Sequence, residues 1–276
     1  MAVNPAVAGH YTHGDLASAI LAALAAAGKD LDRLCPEDLA PADEFHVRGR
    51  QATAELAAKM GLSEGTRVLD VGSGVGGPSR HLADAYGCRV TGLDLSEEYC
   101  RAATLLAERV GLADRVAYHR GDALAMPFAD RTFDAAITQH AAMNIGDKAA
   151  LYAEVFRVLR PGGVFGLYDL LRGGGGGDFL YPVPWARDPS TSFLVTADEL
   201  RALLEGAGFE VVGWRDTSAE ALAWYEEARR RAAAEGPPAI GLHLLFADFP
   251  EMARNMVANM AEGRIAPTEV VCRRRS

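Results

Sequence analysis

The sequence predicts an α/β fold in which a mostly parallel sheet carries helices on both faces. Three observations predict it. From residue 65 onward, short apolar runs alternate with amphipathic stretches, the pattern of strand–helix–strand units. The first run, Val68, Leu69 and Val71, reads as a strand buried on both faces. A glycine-rich turn, Gly72-Ser73-Gly74-Val75-Gly76-Gly77, then leads into a helix. In open α/β sheets ligands lie at such turns, at the carboxyl ends of the strands.

Residues 1–64 read as an N-terminal helical lid. Asp15 caps a helix through Ala26 that Gly28 ends, and Cys35-Pro36-Glu37-Asp38 starts a short helical turn. A further helix runs from about Arg50 to Met60, closed by Gly61. The polar stretch between them, Pro41 to Arg50, has no long apolar run and is placed to cross over a cofactor or to connect two helices.

Residues 65–216 form the core. Strands are expected at Arg67–Val71, Arg89–Leu93, Val116–His119, Phe133–Thr138, Val164–Tyr168 and Phe209–Trp214. Helices are expected at Pro78–Tyr86, after the cap Ser96, at Asp147–Leu159, and after the capping box Thr196-x-x-Glu199. Residues 217–276 add a helical cap and a final strand of the same domain. The capping box Thr217-x-x-Glu220 opens one cap helix, and a second runs from about Ile240 to Met260, interrupted near Pro250. Ile265 to Cys272 is the last strand. The loop Leu171–Pro189 holds five consecutive glycines, Gly173 to Gly177, followed by Phe179, Tyr181 and Trp185. It reads as a mobile flap over a pocket.

Composition narrows the function. A hydrophobic content of 49% in 276 residues suits a well-cored globular chain. The net charge of −9 disfavours nucleic acid and anionic membranes as partners. Cys35, Cys88, Cys100 and Cys272 are scattered without a CxxC pair, as in a reducing cytoplasm, so no disulfide or zinc site is expected. His10-x-x-His13 has no acidic or cysteine companion, and no metal is expected. Leu16–Ala27 is too short to span a bilayer. The expectation is a cytoplasmic monomer or homodimer.

The glycine turn fits two ligands. Gly72-x-Gly74-x-x-Gly77 matches the dinucleotide fingerprint. With the preceding acid Asp70, Gly72-x-Gly74-x-Gly76 matches the loop that binds S-adenosylmethionine (SAM). Four further motifs follow in order: Val90-Thr91-Gly92-Leu93-Asp94-Leu95-Ser96, Gly121-Asp122-Ala123 with Met126-Pro127-Phe128, Phe133-Asp134, and Arg157-Val158-Leu159-Arg160-Pro161-Gly162-Gly163. Together they resemble the class I SAM-dependent methyltransferases. The likeness is to the small-molecule branch that includes sarcosine/dimethylglycine N-methyltransferases, quinone C-methyltransferases and sugar O-methyltransferases.

The resemblance implies a Rossmann-like seven-stranded methyltransferase sheet with an antiparallel last strand. Asp70 would face the SAM ammonium, and Gly72, Ser73, Gly74 and Gly76 would pack against the ligand. Asp94, beside Leu95, would accept from the ribose hydroxyls, because a carboxylate offers two acceptor oxygens. Asp122 and Ala123 would meet the adenine, and Gln139 the methionine part. Carboxylates around a cationic cofactor are complementary. Around a pyrophosphate they would repel it, which favours SAM over a nicotinamide cofactor.

Transfer from a sulfonium needs an acceptor held in line and, for some acceptors, a base. His140, after the fourth strand, is the first candidate base, since imidazole takes protons near neutral pH. Asp169 is the second catalytic candidate. Tyr11, Met143, Asn144, Tyr168, Tyr181 and Trp185 are candidate substrate contacts, with Phe179, Trp224, Tyr225 and Phe246 as further apolar lining. The acceptor is expected to be a small molecule methylated on nitrogen or oxygen. Aromatic-ring C-methylation, an NAD(P)-dependent oxidoreductase and a non-catalytic SAM-binding protein are the alternatives.

Overall fold

The computed structural model describes residues 16–275 apart from 237, 239, 242, 244, 245 and 247. Asp15, His10, His13 and the substrate candidate Tyr11 lie outside the described residues. Three helices come first: α1 (Leu16–Ala26), α2 (Pro36–Asp43) and α3 (Gly49–Ala57). The core then alternates β1 (Arg67–Val71), α4 (Gly77–Tyr86), β2 (Arg89–Asp94), α5 (Glu97–Arg109), β3 (Val116–Arg120), β4 (Phe133–Gln139), α6 (Lys148–Val158) and β5 (Leu159–Arg172). It closes with α7 (Ala197–Gly206), β6 (Phe209–Asp216), α8 (Ser218–Glu235), α9 (Phe249–Ala261) and β7 (Ile265–Arg274).

The seven strands form one sheet in the order β3-β2-β1-β4-β5-β7-β6. Neighbours from β3 to β5 run parallel, and β7 is antiparallel to both β5 and β6. Alternate residues face opposite sides. Val68, Val90, Ile137 and Tyr168 pack toward α3, α4 and α5. Leu69, Val71, Leu93, Phe165 and Leu167 pack toward α6 and α7. The α/β class and the seven-stranded sheet are therefore as the sequence indicated.

Several local expectations need correction. Helix α3 stops at Ala57 rather than Met60. Pro250 starts α9 instead of interrupting a longer helix, because proline in the first turn lacks only an N–H that has no helical partner. The Thr196 capping box forms, but that of Thr217 does not. The Thr217 hydroxyl donates instead to Pro267 O at 2.9 Å, tying the start of α8 to β7.

The glycine-rich loop is fastened rather than free. Gly173 N and Gly175 N donate to Arg264 O and Gly263 O, each at 2.8 Å. Asn259 donates to Leu180 O at 2.9 Å and accepts from Leu180 N at 3.0 Å. A Cβ on Gly173 or Gly175 would stand 2.0 Å from a carbonyl oxygen of the facing strand turn. The glycines serve close backbone approach as well as flexibility.

Candidate active site

A cavity of about 1300 Å³ opens over the carboxyl ends of β1, β2 and β4. A cleft for one drug-sized ligand occupies roughly 300–1,000 Å³, so there is room for a cofactor and a second molecule. Its floor contains Gly72, Ser73, Gly74, Asp94, Leu95, Asp122, Ala123, Gln139 and His140. These are predicted site residues, and the fold brings them together. Met143, Asn144 and Trp185 line the adjoining wall with Trp224, Tyr225 and Phe246.

Asp94 sits where β2 ends. Its carboxylate accepts from Gly74 N and from Ser96 N, each at 2.9 Å. Burial raises its pKa above the ordinary carboxylate value. Gly74 has φ +54°, and a Cβ there would meet nothing nearer than Phe45 at 3.9 Å. The glycine keeps that space for a ligand. Gly72 has φ +74°, and its missing Cβ makes room for Ala141, whose Cβ would otherwise lie 2.3 Å away. The Ser73 hydroxyl is buried without a hydrogen-bond partner among the described residues. Asp122 accepts from Leu124 N at 2.9 Å and still lines the cavity. An open glycine and two carboxylates suit the cationic, hydroxyl-bearing SAM.

Strand parity removes several candidates from the cavity. Asp70 shares the face of Val68, so it points toward α4 and accepts from Ser79 Oγ at 2.6 Å. Burial pushes its carboxyl up to about 7. Gly76 faces Tyr118, whose hydroxyl would be 2.2 Å from a Cβ there. Asp169 lies on the α6 side, where it accepts from Leu170 N at 2.8 Å beside Lys148. Burial raises it to about 6 against the lowering effect of Lys148. Lys148 Nζ in turn donates to Ala142 O at 2.6 Å. Asp169 thus supports the turn after β4 instead of reaching the reacting groups. Tyr168 points toward α3 and Thr217. Tyr181 stacks on Phe179 at 4.7 Å, outside the cavity lining.

His140 is the residue at which β4 leaves the sheet. Its φ of +47° is left-handed, rare for a residue with a side chain and frequent at functional positions. Its N–H donates to Tyr168 O at 2.8 Å. The ring lies 5.0 Å from that of Tyr168 and 5.9 Å from that of His46, centroid to centroid. Its Nε2 is buried with no partner among the described residues. Burial, reinforced by His46, holds the imidazole neutral with its pKa well below the ordinary value.

The sequence placed Pro41–Arg50 to cross over a cofactor or to connect two helices, but it singled out none of residues 44–47 as a site residue. Phe45, His46 and Val47 line the cavity opposite Gly74 and His140. They follow Asp43, whose carboxylate accepts from Arg80 Nη2 at 2.6 Å in a fully buried pair. The same nitrogen donates to Val75 O at 2.7 Å, fastening this segment to the glycine turn. The density of charged residues between Asp43 and Arg50 was the available signal.

The comparisons agree with this geometry. A family model described as a methyltransferase domain matches residues 69–167. A sterol 24-C-methyltransferase of Aspergillus fumigatus is 44% identical over 116 residues, covering 42% of this chain and 31% of that protein. The match thus spans about a third of that relative. Phosphoethanolamine N-methyltransferase 2 of Haemonchus contortus, solved with SAM, superposes with a TM-score of 0.73 at 20% identity, covering 85% of this chain and 54% of that one. The [4+2]-cyclase SpnF superposes with a TM-score of 0.70 at 24% identity, over 95% of this chain and 94% of that one. Residues 69–167 thus match a methyltransferase domain, on a fold shared with a solved protein that binds S-adenosylmethionine.

Proposed function

We propose that the chain transfers the methyl group of SAM to a carbon atom of a largely apolar small molecule. The observation that carries this is the outer half of the cavity. Helix α8 has 18 residues, of which only Ala221 is buried. Its Leu222, Trp224, Tyr225, Ala228 and Ala232 line the cavity with Met256 and Val257 of α9, alongside the charged Glu226, Arg229, Arg231 and Glu235. Leu222 and Tyr225 are only partly buried where they pack against the cluster that holds Met256, and the apolar surface they leave open to the cavity gains free energy when an apolar ligand covers it.

When bound, SAM supplies a methyl on a sulfonium whose sulfur leaves as a neutral thioether. Asp94 and the Gly72–Gly74 turn hold the nucleoside side. Met143 and Trp185 shape the space for the acceptor and keep water away. His140, neutral and unpartnered, takes the proton that the acceptor carbon loses after the new bond forms. The similarity to sterol 24-C-methyltransferases supports carbon over the nitrogen or oxygen acceptor expected from sequence. That similarity spans under half of this chain.

The test is incubation with deuteromethyl SAM and a panel of unsaturated terpenoids, sterols, phenols and amines, with the label located by NMR. Label on carbon is the expected result. Label on nitrogen or oxygen overturns the carbon assignment. SAM binding without transfer to any acceptor overturns the activity, since a [4+2]-cyclase shares the fold and fold alone does not fix chemistry.

A further inference from the structure

His46 belongs to the segment that crosses the cavity, and its side chain is 2% exposed. Four groups surround its Nε2. Gly49 O is 3.0 Å away, Thr53 Oγ1 3.1 Å, the Gln139 side-chain amide 3.0 Å, and Glu44 Oε2 3.5 Å. A carbonyl oxygen only accepts, so Nε2 carries the proton. The Gln139 amide stands with its Nε2 toward His46 and its Oε1 3.2 Å from Thr53 Oγ1. Two N–H donors cannot bond each other, so pairing with Nε2–H takes the amide in its opposite orientation, whose two ends have the same shape. The Thr53 hydroxyl donates to Glu44 Oε2 at 2.8 Å, and Arg50 Nε holds the other Glu44 oxygen at 2.5 Å.

The Gly49 carbonyl, which can only accept, sets the tautomer of His46. Nδ1 keeps its lone pair and makes no hydrogen bond to the described residues. Burial lowers the pKa of the ring to about 4, so the lone pair stays available at neutral pH. The ring lines the cavity together with His140, 5.9 Å between centroids and nearly perpendicular at 73°.

We propose that His46 is a second acceptor-binding residue, whose Nδ1 accepts a hydrogen bond from a hydroxyl or N–H of the methyl acceptor while His140 faces the reacting carbon. This rests on reading the cavity as a methyl-transfer site, and it narrows the acceptor to an apolar molecule with one hydrogen-bond donor close to the methylated carbon. A phenol or enol has that form, and its donor oxygen feeds electron density to the neighbouring carbon. The site is then complete only when residues 44–49 lie over it.

The test uses the full chain labelled with ¹⁵N-histidine, with 4-tert-butylphenol as the probe and S-adenosylhomocysteine as the bound cofactor product. Without either ligand, the His46 resonances should show the Nε2–H tautomer. With S-adenosylhomocysteine bound, the phenol should shift Nδ1. Two variants separate the roles of the nitrogens. His46→Asn puts a polar atom where Nδ1 stands, and His46→Gln puts one where Nε2 stands. His46→Asn should bind the phenol within about threefold of the unaltered chain, and His46→Gln should lose about tenfold or more, the size of one lost hydrogen bond to a buried acceptor. Both should bind S-adenosylhomocysteine as the unaltered chain does.

The reverse order of the two variants, an Nδ1–H tautomer, or a phenol that leaves Nδ1 unmoved would each overturn the proposal. So would an equal loss of S-adenosylhomocysteine and phenol binding in His46→Asn, which would make the residue structural. Failure of the unaltered chain to bind S-adenosylhomocysteine would instead remove the methyl-transfer reading, while the tautomer spectrum would still judge His46.

Discussion

Asp94 already spends both carboxylate oxygens on backbone N–H groups of Gly74 and Ser96, and this fixes its orientation before any ligand arrives. Asp94→Ala should weaken SAM binding by about 1–3 kcal/mol, as for a hydrogen-bonded charged group removed from a buried site, measured by calorimetry. His140→Ala should leave SAM affinity unchanged and lower turnover about a hundredfold or more, the usual worth of a positioned base. Unchanged turnover would make His140 a structural residue. Asp70 gives a pH prediction. Its folded pKa of about 7 lies above the ordinary 3.8, so the folded chain holds a proton that the unfolded chain has lost. Stability from this group is therefore greatest below about pH 4 and falls as pH rises toward 7. Urea unfolding at pH 5 and pH 8 should show a smaller pH loss for Asp70→Asn than for the unaltered chain. Asp94, Gly74, Asp122 and Ala123 were legible because ligand turns impose fixed spacings. Asp70 and Asp169 were misplaced because spacing does not tell which face of a strand a carboxylate takes. Asp70 follows the parity of Val68 into the α4 layer. His46 and Asp43 went unread because their partners, Gln139 and Arg80, lie far along the chain.

Among the elements, the loop 173–196 departs most from its sequence reading. Glycine and aromatic content suggested motion, but the anchors are long-range. Asn144 Nδ2 donates to Trp185 O at 2.9 Å and to Thr191 O at 2.8 Å, and Phe193 N donates to Met143 O at 2.8 Å. Asn144 thus joins the turn after β4 to the loop that carries Trp185. Asn144→Ala should leave two buried carbonyls unpaired, at about 1–3 kcal/mol each. Faster hydrogen exchange across residues 185–193, with α4 and α5 unaffected, would display the loss. Helix ends were read well where a side chain caps them, as at Ser96, which accepts from Tyr99 N at 3.3 Å. They were read poorly where proline has two uses. Pro250 both forbids a preceding helical hydrogen bond and begins a helix well, and the sequence does not choose between these.

At the scale of the whole molecule, the strand–helix alternation carried the architecture, and the burial of β1 and β4 on both faces, between two helical layers, is its physical origin. The antiparallel last strand came from family resemblance, since nothing in the residues of β7 states its direction. Because the cavity joins the glycine turn, the segment 44–49 and the helices α8 and α9, a ligand there braces parts distant in sequence. S-adenosylhomocysteine at a hundred times its dissociation constant should add about 2.7 kcal/mol to stability, raising the melting temperature by about 5–10 °C. No shift would mean that the cavity does not hold the cofactor product. The strand order has a consequence for biosynthesis. β7 is made last of the seven strands yet lies between β5 and β6. On the ribosome, β1 to β5 can pair as they emerge, but β6 has no sheet neighbour until β7 has followed it. The edge of β5 stays open for that interval, an exposed template for pairing with other nascent chains, and only β7 closes it.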